Sequence, residues 1–69
     1  SPRLVEELFA LIGRLHAEGL AVLLVEQNVG LSLDIADRAY VLENGAVRFA
    51  GTPAELLHSA ELKRAYLGL

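Results

Sequence analysis

The sequence of 69 residues contains no cysteine and no methionine, and its two histidines, His16 and His58, lie far apart. Without cysteine the chain has no disulfide framework and no thiolate zinc site, and histidines without ligand spacing disfavour another metal centre. The longest apolar run, Leu20 to Val25, is six residues, whereas a membrane-spanning helix needs about 20. No secretory signal is visible. Six basic against nine acidic residues leave a net charge of −3 and no basic patch for nucleic acid. These absences favour a soluble, cytosolic chain.

What the chain has in excess is apolar surface. Apolar side chains make up 54% of the sequence, above the roughly 45–50% of whole globular proteins. A domain of about 60 residues buries only roughly 60% of its unfolded surface, and domains this small usually carry a disulfide or a metal. We therefore expect residues 1–69 to be a single unit that belongs to a larger fold or to an obligate oligomer.

The first half of the chain predicts a helix followed by a buried strand. Ser1 and Pro2 favour a helix start, apolar residues recur at helical spacing up to Glu18, and Gly19 favours its end. Residues 20–25 are apolar at every position, which is typical of a parallel strand covered on both faces. The helix is therefore expected to cover a sheet.

The second half predicts a short helix, a hairpin and two further helices. Asn28 can cap a helix over 29–37, and Asn-Gly at 44–45 predicts a tight turn inside a hairpin over 39–50. A two-residue loop sets Leu42 opposite Val47 and Tyr40 opposite Phe49. Capping signals at Thr52 and Ser59 open the last two helices. The predicted class is α/β, in the order α-β-α-β-β-α-α.

Only one polar stretch follows the predicted parallel strand, where ligands bind in open α/β sheets: Glu26, Gln27 and Asn28. The simpler interpretation is that Asn28 caps a helix while Glu26 and Gln27 are solvated. The sequence contains no glycine-rich phosphate loop, and no serine has a histidine partner in view for a triad. No catalytic constellation is complete within these residues, and no cofactor-binding or metal-binding residue is predicted.

The string from Gly19 to Leu57 resembles the C-terminal part of an ABC transporter ATP-binding subunit, and most closely the branched-chain amino-acid importer (LivF-like) subfamily. Three stretches carry the resemblance in combination, Val25–Asn28, Ile35–Arg38 and Leu42–Gly45. Ala65–Leu69 resembles the usual end of those subunits, and Ser1-Pro2 the end of the D-loop. The resemblance implies a P-loop NTPase fold in which the Walker A, signature and Walker B segments precede Ser1.

The resemblance places Gln27 at the switch, or H-loop, position, where most of the superfamily has a histidine that contacts the γ-phosphate of ATP. A glutamine amide does not titrate near neutral pH, so Gln27 would position the attacking water rather than transfer a proton. The implied parent protein uses ATP and Mg, pairs with a second ATP-binding subunit and with transmembrane permease subunits, and lies on the cytoplasmic face of the membrane.

Two functions remain open at the level of sequence. In the first, the parent protein hydrolyses ATP to power import of branched-chain (hydrophobic) amino acids, while the 69-residue chain alone binds no cofactor, is inactive and self-associates through unpaired strand edges. In the second, the chain is a small non-enzymatic interaction module that binds a partner through an apolar sheet edge. A complete flavodoxin-like miniature enzyme is disfavoured, because one parallel strand forms no crevice.

Overall fold

A computed structural model of the chain describes residues 1–68, and contacts divide the chain into two compact units, Ser1–Ile35 and Ala36–Leu69. Leu69, which closes the C-terminal stretch that resembles the ABC subunits, lies outside the described residues. The prediction that 1–69 is the C-terminal portion of an ATP-binding domain stays a prediction.

The first unit consists of two helices, α1 (Pro2–Ala17) and α2 (Val29–Ile35). Pro2 occupies the first turn of α1, as predicted, although Ser1 makes no side-chain cap. Helix α1 ends at Ala17, Glu18 is its C-cap, and Gly19 follows with φ +106°. There the amide N–H groups of Gly19 and Leu20 donate to the carbonyls of His16 and Leu15. This is the Schellman pattern that glycine favours.

Each helix of this unit has one buried apolar side chain, Phe9 in α1 and Leu33 in α2. A Cβ atom on Gly13 would lie 3.4 Å from Cγ2 of Ile35, an ordinary van der Waals contact, so α1 and α2 lie close together at this point. The sequence predicted that helix α2 would end at Asp37, but it ends two residues earlier, at Ile35.

The predicted parallel strand over residues 20–25 is wrong for this structure, because the segment has no regular secondary structure. Leu23 is 93% exposed and Val25 is 88% exposed. A strand forms only where neighbouring strands take up its N–H and C=O groups, and no strand of the described residues pairs with this segment. The apolar stripe of α1, which was expected to cover a sheet, is exposed for the same reason, at Leu4, Leu8, Leu11 and Leu15.

The second unit begins with a hairpin of β1 (Ala39–Glu43) and β2 (Ala46–Gly51), an antiparallel pair. The predicted hairpin is confirmed, and so is its turn. Asn44 and Gly45 both adopt positive φ, 52° and 78°, as a type I′ turn requires. The observed element order is therefore α-α-β-β-α-α, followed by a π-helical turn, rather than α-β-α-β-β-α-α.

The predicted register of the hairpin is half correct. Leu42 pairs with Val47 as expected, but Phe49 pairs with Val41 rather than with Tyr40, which pairs with Ala50. The difference is a β-bulge, since one residue of β2, Arg48, has no partner of its own on β1. Such an extra residue shifts every later pair by one position.

Three short helical segments complete the second unit: α3 (Pro53–Leu57), α4 (Ala60–Leu62) and a π-helical turn (Lys63–Leu67). Thr52 and Glu55 form the predicted capping box of α3, and the hydroxyl of Ser59 accepts from the N–H of Leu62 at the start of α4. Among the described residues of this unit, Leu56 and Leu62 are the buried apolar side chains, and Leu62 is fully buried. The core of the second unit therefore lies under α3 and α4.

Candidate functional site

The polar stretch predicted to carry function forms a short loop ahead of α2. The Oε1 atom of Glu26 accepts two backbone hydrogen bonds, from the N–H of Gln27 at 2.9 Å and from the N–H of Asn28 at 3.3 Å. The Oδ1 atom of Asn28 accepts from the N–H of Leu31 at 3.0 Å. The loop is thus closed on itself by Glu26 at its start and by Asn28 at its end.

Asn28 caps α2, as the sequence predicts. Its side-chain oxygen satisfies one of the N–H groups that the first turn of any helix leaves without an internal partner. Because Leu33 of the same helix is buried, the start of α2 is fixed both by the cap and by packing. The loop that carries Gln27 is therefore joined directly to the capped start of α2.

Gln27 lies at a bend and is exposed. Its backbone N–H is held by Glu26, while its side-chain amide has no hydrogen-bond partner among residues 1–68. An exposed amide can both donate and accept, so Gln27 is able to bind a phosphate oxygen or a water molecule. The role of Gln27 at a switch position stays a prediction.

A second polar cluster, which the sequence analysis missed, joins the hairpin to the C-terminal helical segment. The hydroxyl of Tyr66 donates to Oε2 of Glu43, and Nη2 of Arg48 donates to Oε1 of Glu61. The Phe49 and Tyr66 rings meet edge to face, with centroids 6.2 Å apart. These partners are 13 to 23 residues apart, so no local spacing in the sequence indicates them.

The surroundings of Tyr66 change its acidity. The hydrogen bond to Glu43 raises the pKa of the Tyr66 hydroxyl above its ordinary value of 10.0, and desolvation acts in the same direction. Arg48 opposes the shift. Tyr66 therefore stays protonated at neutral pH and acts as a hydrogen-bond donor, which is a structural role.

Glu55 also has a structural role. Its carboxylate accepts from the N–H of Thr52 at 3.0 Å, and this hydrogen bond lowers the pKa of Glu55 below its ordinary value of 4.5. A carboxylate in the first turn of α3 closes the capping box and complements the helix dipole. We assign no chemistry to it.

Metal clusters and membrane spans are both absent from the described residues. No group of three or more His, Asp or Glu side chains within residues 1–68 is arranged to hold a metal ion. Nδ1 of His16 lies 2.9 Å from the carbonyl oxygen of Leu20, beside the end of α1. No helix in the described part of the chain has the length and apolar character needed to cross a bilayer.

The relatives of this chain are ABC transporter ATP-binding proteins. A high-affinity branched-chain amino acid transport ATP-binding protein, BraG of Pseudomonas aeruginosa, is 46% identical over 99% of the chain. A probable branched-chain amino acid transport ATP-binding protein, LivF of Archaeoglobus fulgidus, is 41% identical over the whole chain. A lipopolysaccharide export system ATP-binding protein, LptB of Acidithiobacillus ferridurans, is 40% identical over 97% of it. No protein-family model matches. The chain spans 28 to 30% of the length of these relatives.

Proposed function

We propose that residues 1–69 are the C-terminal portion of an ATP-binding subunit of an ABC transporter, and that the whole subunit hydrolyses ATP to drive transport. The observation that supports this is identity of 40 to 46% along essentially the entire chain to proteins of that one kind. The segment without regular structure supports it too. Residues 20–25 have the composition of a buried parallel strand, and in a larger sheet they would have neighbours.

The proposed cargo is branched-chain, hydrophobic amino acids. The relative with 46% identity carries that function in its name, as does the archaeal relative at 41%. The lipopolysaccharide export relative at 40% differs little from the latter, so the cargo rests mainly on the similarity to BraG. Cargo is a property of the whole transporter, and it is tested by transport.

Gln27 would act in this subunit by positioning. At the end of its segment, next to the γ-phosphate of ATP, the exposed amide of Gln27 would orient the attacking water and donate a hydrogen bond to a phosphate oxygen. ATP and Mg²⁺ would be held by the Walker A and Walker B segments, which this chain does not contain. A second ATP-binding subunit and permease subunits would complete the assembly at the cytoplasmic face of the membrane.

The experiment is transport by the complete subunit in a strain that lacks it. We expect ATP-dependent uptake of radiolabelled leucine to return with the intact subunit, and to fall at least tenfold with Gln27→Ala, because about 1.4 kcal/mol of lost transition-state stabilisation is a factor of ten. The isolated 69-residue chain should show no ATP turnover. If the strain without the subunit takes up leucine normally but is defective in lipopolysaccharide export, the proposed amino-acid cargo is wrong. The proposal of ATP-driven transport would then still hold.

A second candidate function is favoured by one observation, the apolar surface of the hairpin. Tyr40, Leu42 and Val47 are each more than half exposed and lie within the same pair of strands. Such a surface suits a small interaction module that binds a protein partner without catalysis. The coding sequence upstream of Ser1 separates the two candidates. A Gly-x-x-x-x-Gly-Lys-Ser/Thr loop supports the ATPase, and an unrelated domain supports the module.

A further inference from the structure

Glu26 makes hydrogen bonds within the loop that the sequence analysis did not predict. One oxygen of its carboxylate, Oε1, accepts the backbone N–H groups of both Gln27 and Asn28, at 2.9 and 3.3 Å. Glu26 is exposed, so its carboxylate could be solvated at no cost and needs no partner in the protein. The residue instead folds its side chain along the loop and fixes the two peptide units that follow it.

We propose that Glu26 is a positioning residue, which holds the backbone of Gln27 so that the Gln27 amide meets the reacting phosphate in one orientation. The inference rests on the proposed function, because it concerns how the switch glutamine is presented. In this proposal Glu26 does not touch the substrate, and its role is to hold Gln27 in place.

The loop offers few other restraints on Gln27. The preceding segment, residues 20–25, has no regular structure, and Val25 is 88% exposed. On the other side Asn28 is fixed by its hydrogen bond to Leu31. Gln27 thus lies between a segment without regular structure and the capped start of α2. The Glu26 carboxylate is the group that accepts its peptide N–H.

The side-chain amide of Gln27 is available to a ligand, whereas its backbone N–H is held by Glu26. Within residues 1–68 the Gln27 backbone is bonded while its side-chain amide is not. A group that must meet a ligand keeps its donor and acceptor available, while its backbone is fixed in advance. Fixing the backbone before the ligand arrives lowers the entropy lost in the reacting complex.

The geometry also says which property of Glu26 matters. A single oxygen accepts both N–H groups, so a carbonyl oxygen at the same place is sufficient for positioning, and the charge is not required. Glu26→Gln keeps that oxygen, whereas Glu26→Ala removes it. A role for Glu26 as a base or as a source of negative potential would instead be lost equally in both variants.

The test uses both the 69-residue chain and the complete subunit. In the chain, NMR measures exchange of the Gln27 and Asn28 amides with water. We expect Glu26→Ala to speed this exchange about three- to tenfold, from the typical strength of such hydrogen bonds, and Glu26→Gln to stay within about threefold of the parent. Glu6→Ala is the matched control, because Glu6 is exposed and has no hydrogen bond or ion pair in the described chain.

In the complete subunit, steady-state ATP hydrolysis gives kcat and KM separately. We expect Glu26→Ala to lower kcat about three- to tenfold with KM for ATP within about twofold, and Glu26→Gln to restore most of kcat. A variant that merely unfolded the loop would change KM and stability together. Glu6→Ala should leave both constants unchanged.

Two results would overturn the inference. Unchanged amide exchange in Glu26→Ala would show that the carboxylate does not hold Gln27, whatever the ATPase rate. Equal losses of kcat in Glu26→Ala and Glu26→Gln would show that the charge, not the accepting oxygen, is what matters. If exchange responds as expected but the complete subunit hydrolyses no ATP, the proposed function fails while the hold of Glu26 on Gln27 stands.

Discussion

Leu62 is the most deeply buried side chain in the described part of the second unit, so replacing it with alanine tests the packing directly. It is fully buried, with 0% relative exposure. The change removes three carbon atoms, and at about 0.8 kcal/mol per buried CH₂ the loss is about 2.4 kcal/mol before any cavity cost. Small proteins are stable by only about 5–15 kcal/mol, and Leu56 and Leu62 are the buried apolar side chains in the described part of this unit. The loss is therefore a large fraction of what holds the unit together.

The matched control is Leu57→Ala, the same chemical change five residues earlier on a side chain that is 41% exposed. Because about three fifths of the Leu57 side chain is buried, the same arithmetic gives a loss of about 1.4 kcal/mol, with little cavity cost to add. Urea unfolding of the 69-residue chain, followed by far-UV circular dichroism, gives the midpoint and the slope for each variant. We expect the midpoint to fall clearly more for Leu62→Ala. Equal midpoints for the two variants would refute the packing described for α4.

Three further perturbations test the polar contacts. Because the native pKa of Glu55 is lowered, its contribution to stability is present above pH 4.5 and is lost as the pH falls through the lower native pKa. Glu55→Gln should therefore flatten this part of an acid unfolding curve, because a glutamine amide does not titrate there. Because the pKa of Tyr66 is raised, its contribution to stability is present below pH 10.0 and is lost as the pH rises through the higher native pKa. Tyr66→Phe cannot donate to Glu43, so this variant should not lose stability in that alkaline range. Ser32→Ala should leave stability unchanged or raise it by up to about 1 kcal/mol in thermal unfolding, because the buried Ser32 hydroxyl has no hydrogen-bond partner among residues 1–68.

The features that the sequence predicted correctly are those whose cause lies within a few residues. The Asn44-Gly45 turn requires two positive φ angles, which these two residues adopt readily, and the structure has both. Thr52 and Glu55 are three positions apart, which is the spacing of a capping box. Asn28 reaches the N–H of Leu31 over the same separation. Local chemistry of this kind needs no knowledge of the rest of the fold.

The features that the sequence predicted wrongly depend on distant partners. The apolar run at 20–25 has the composition of a buried strand, but composition cannot supply the neighbouring strands that would satisfy its backbone. The hairpin register differs from the prediction at Arg48, which has no partner on β1. That residue bulges out of β2 and pairs with Glu61, 13 positions away. Nothing in the hairpin sequence itself indicates that contact.

The candidate site was predicted in part. Sequence reasoning found the loop and the cap at Asn28, but it regarded Glu26 as a solvated residue. Glu26 is exposed as expected, and it also accepts two N–H groups of the loop. A carboxylate placed directly before a capped helix start was the available signal. The role of Gln27 came from family resemblance alone and depends on residues outside this chain.

We expect residues 20–25 to lie between strands of a larger sheet in the complete subunit, and amide hydrogen exchange tests this most directly. Exchange at Leu20–Val25 is measured in the 69-residue chain and in the complete subunit under the same conditions. Exchange should be rapid in the chain, where Leu23 and Val25 are exposed, and slower by at least a hundredfold in the subunit, which corresponds to about 2.7 kcal/mol of opening free energy. Equal exchange in both would contradict the claim, because the segment would then gain no partners from the rest of the protein.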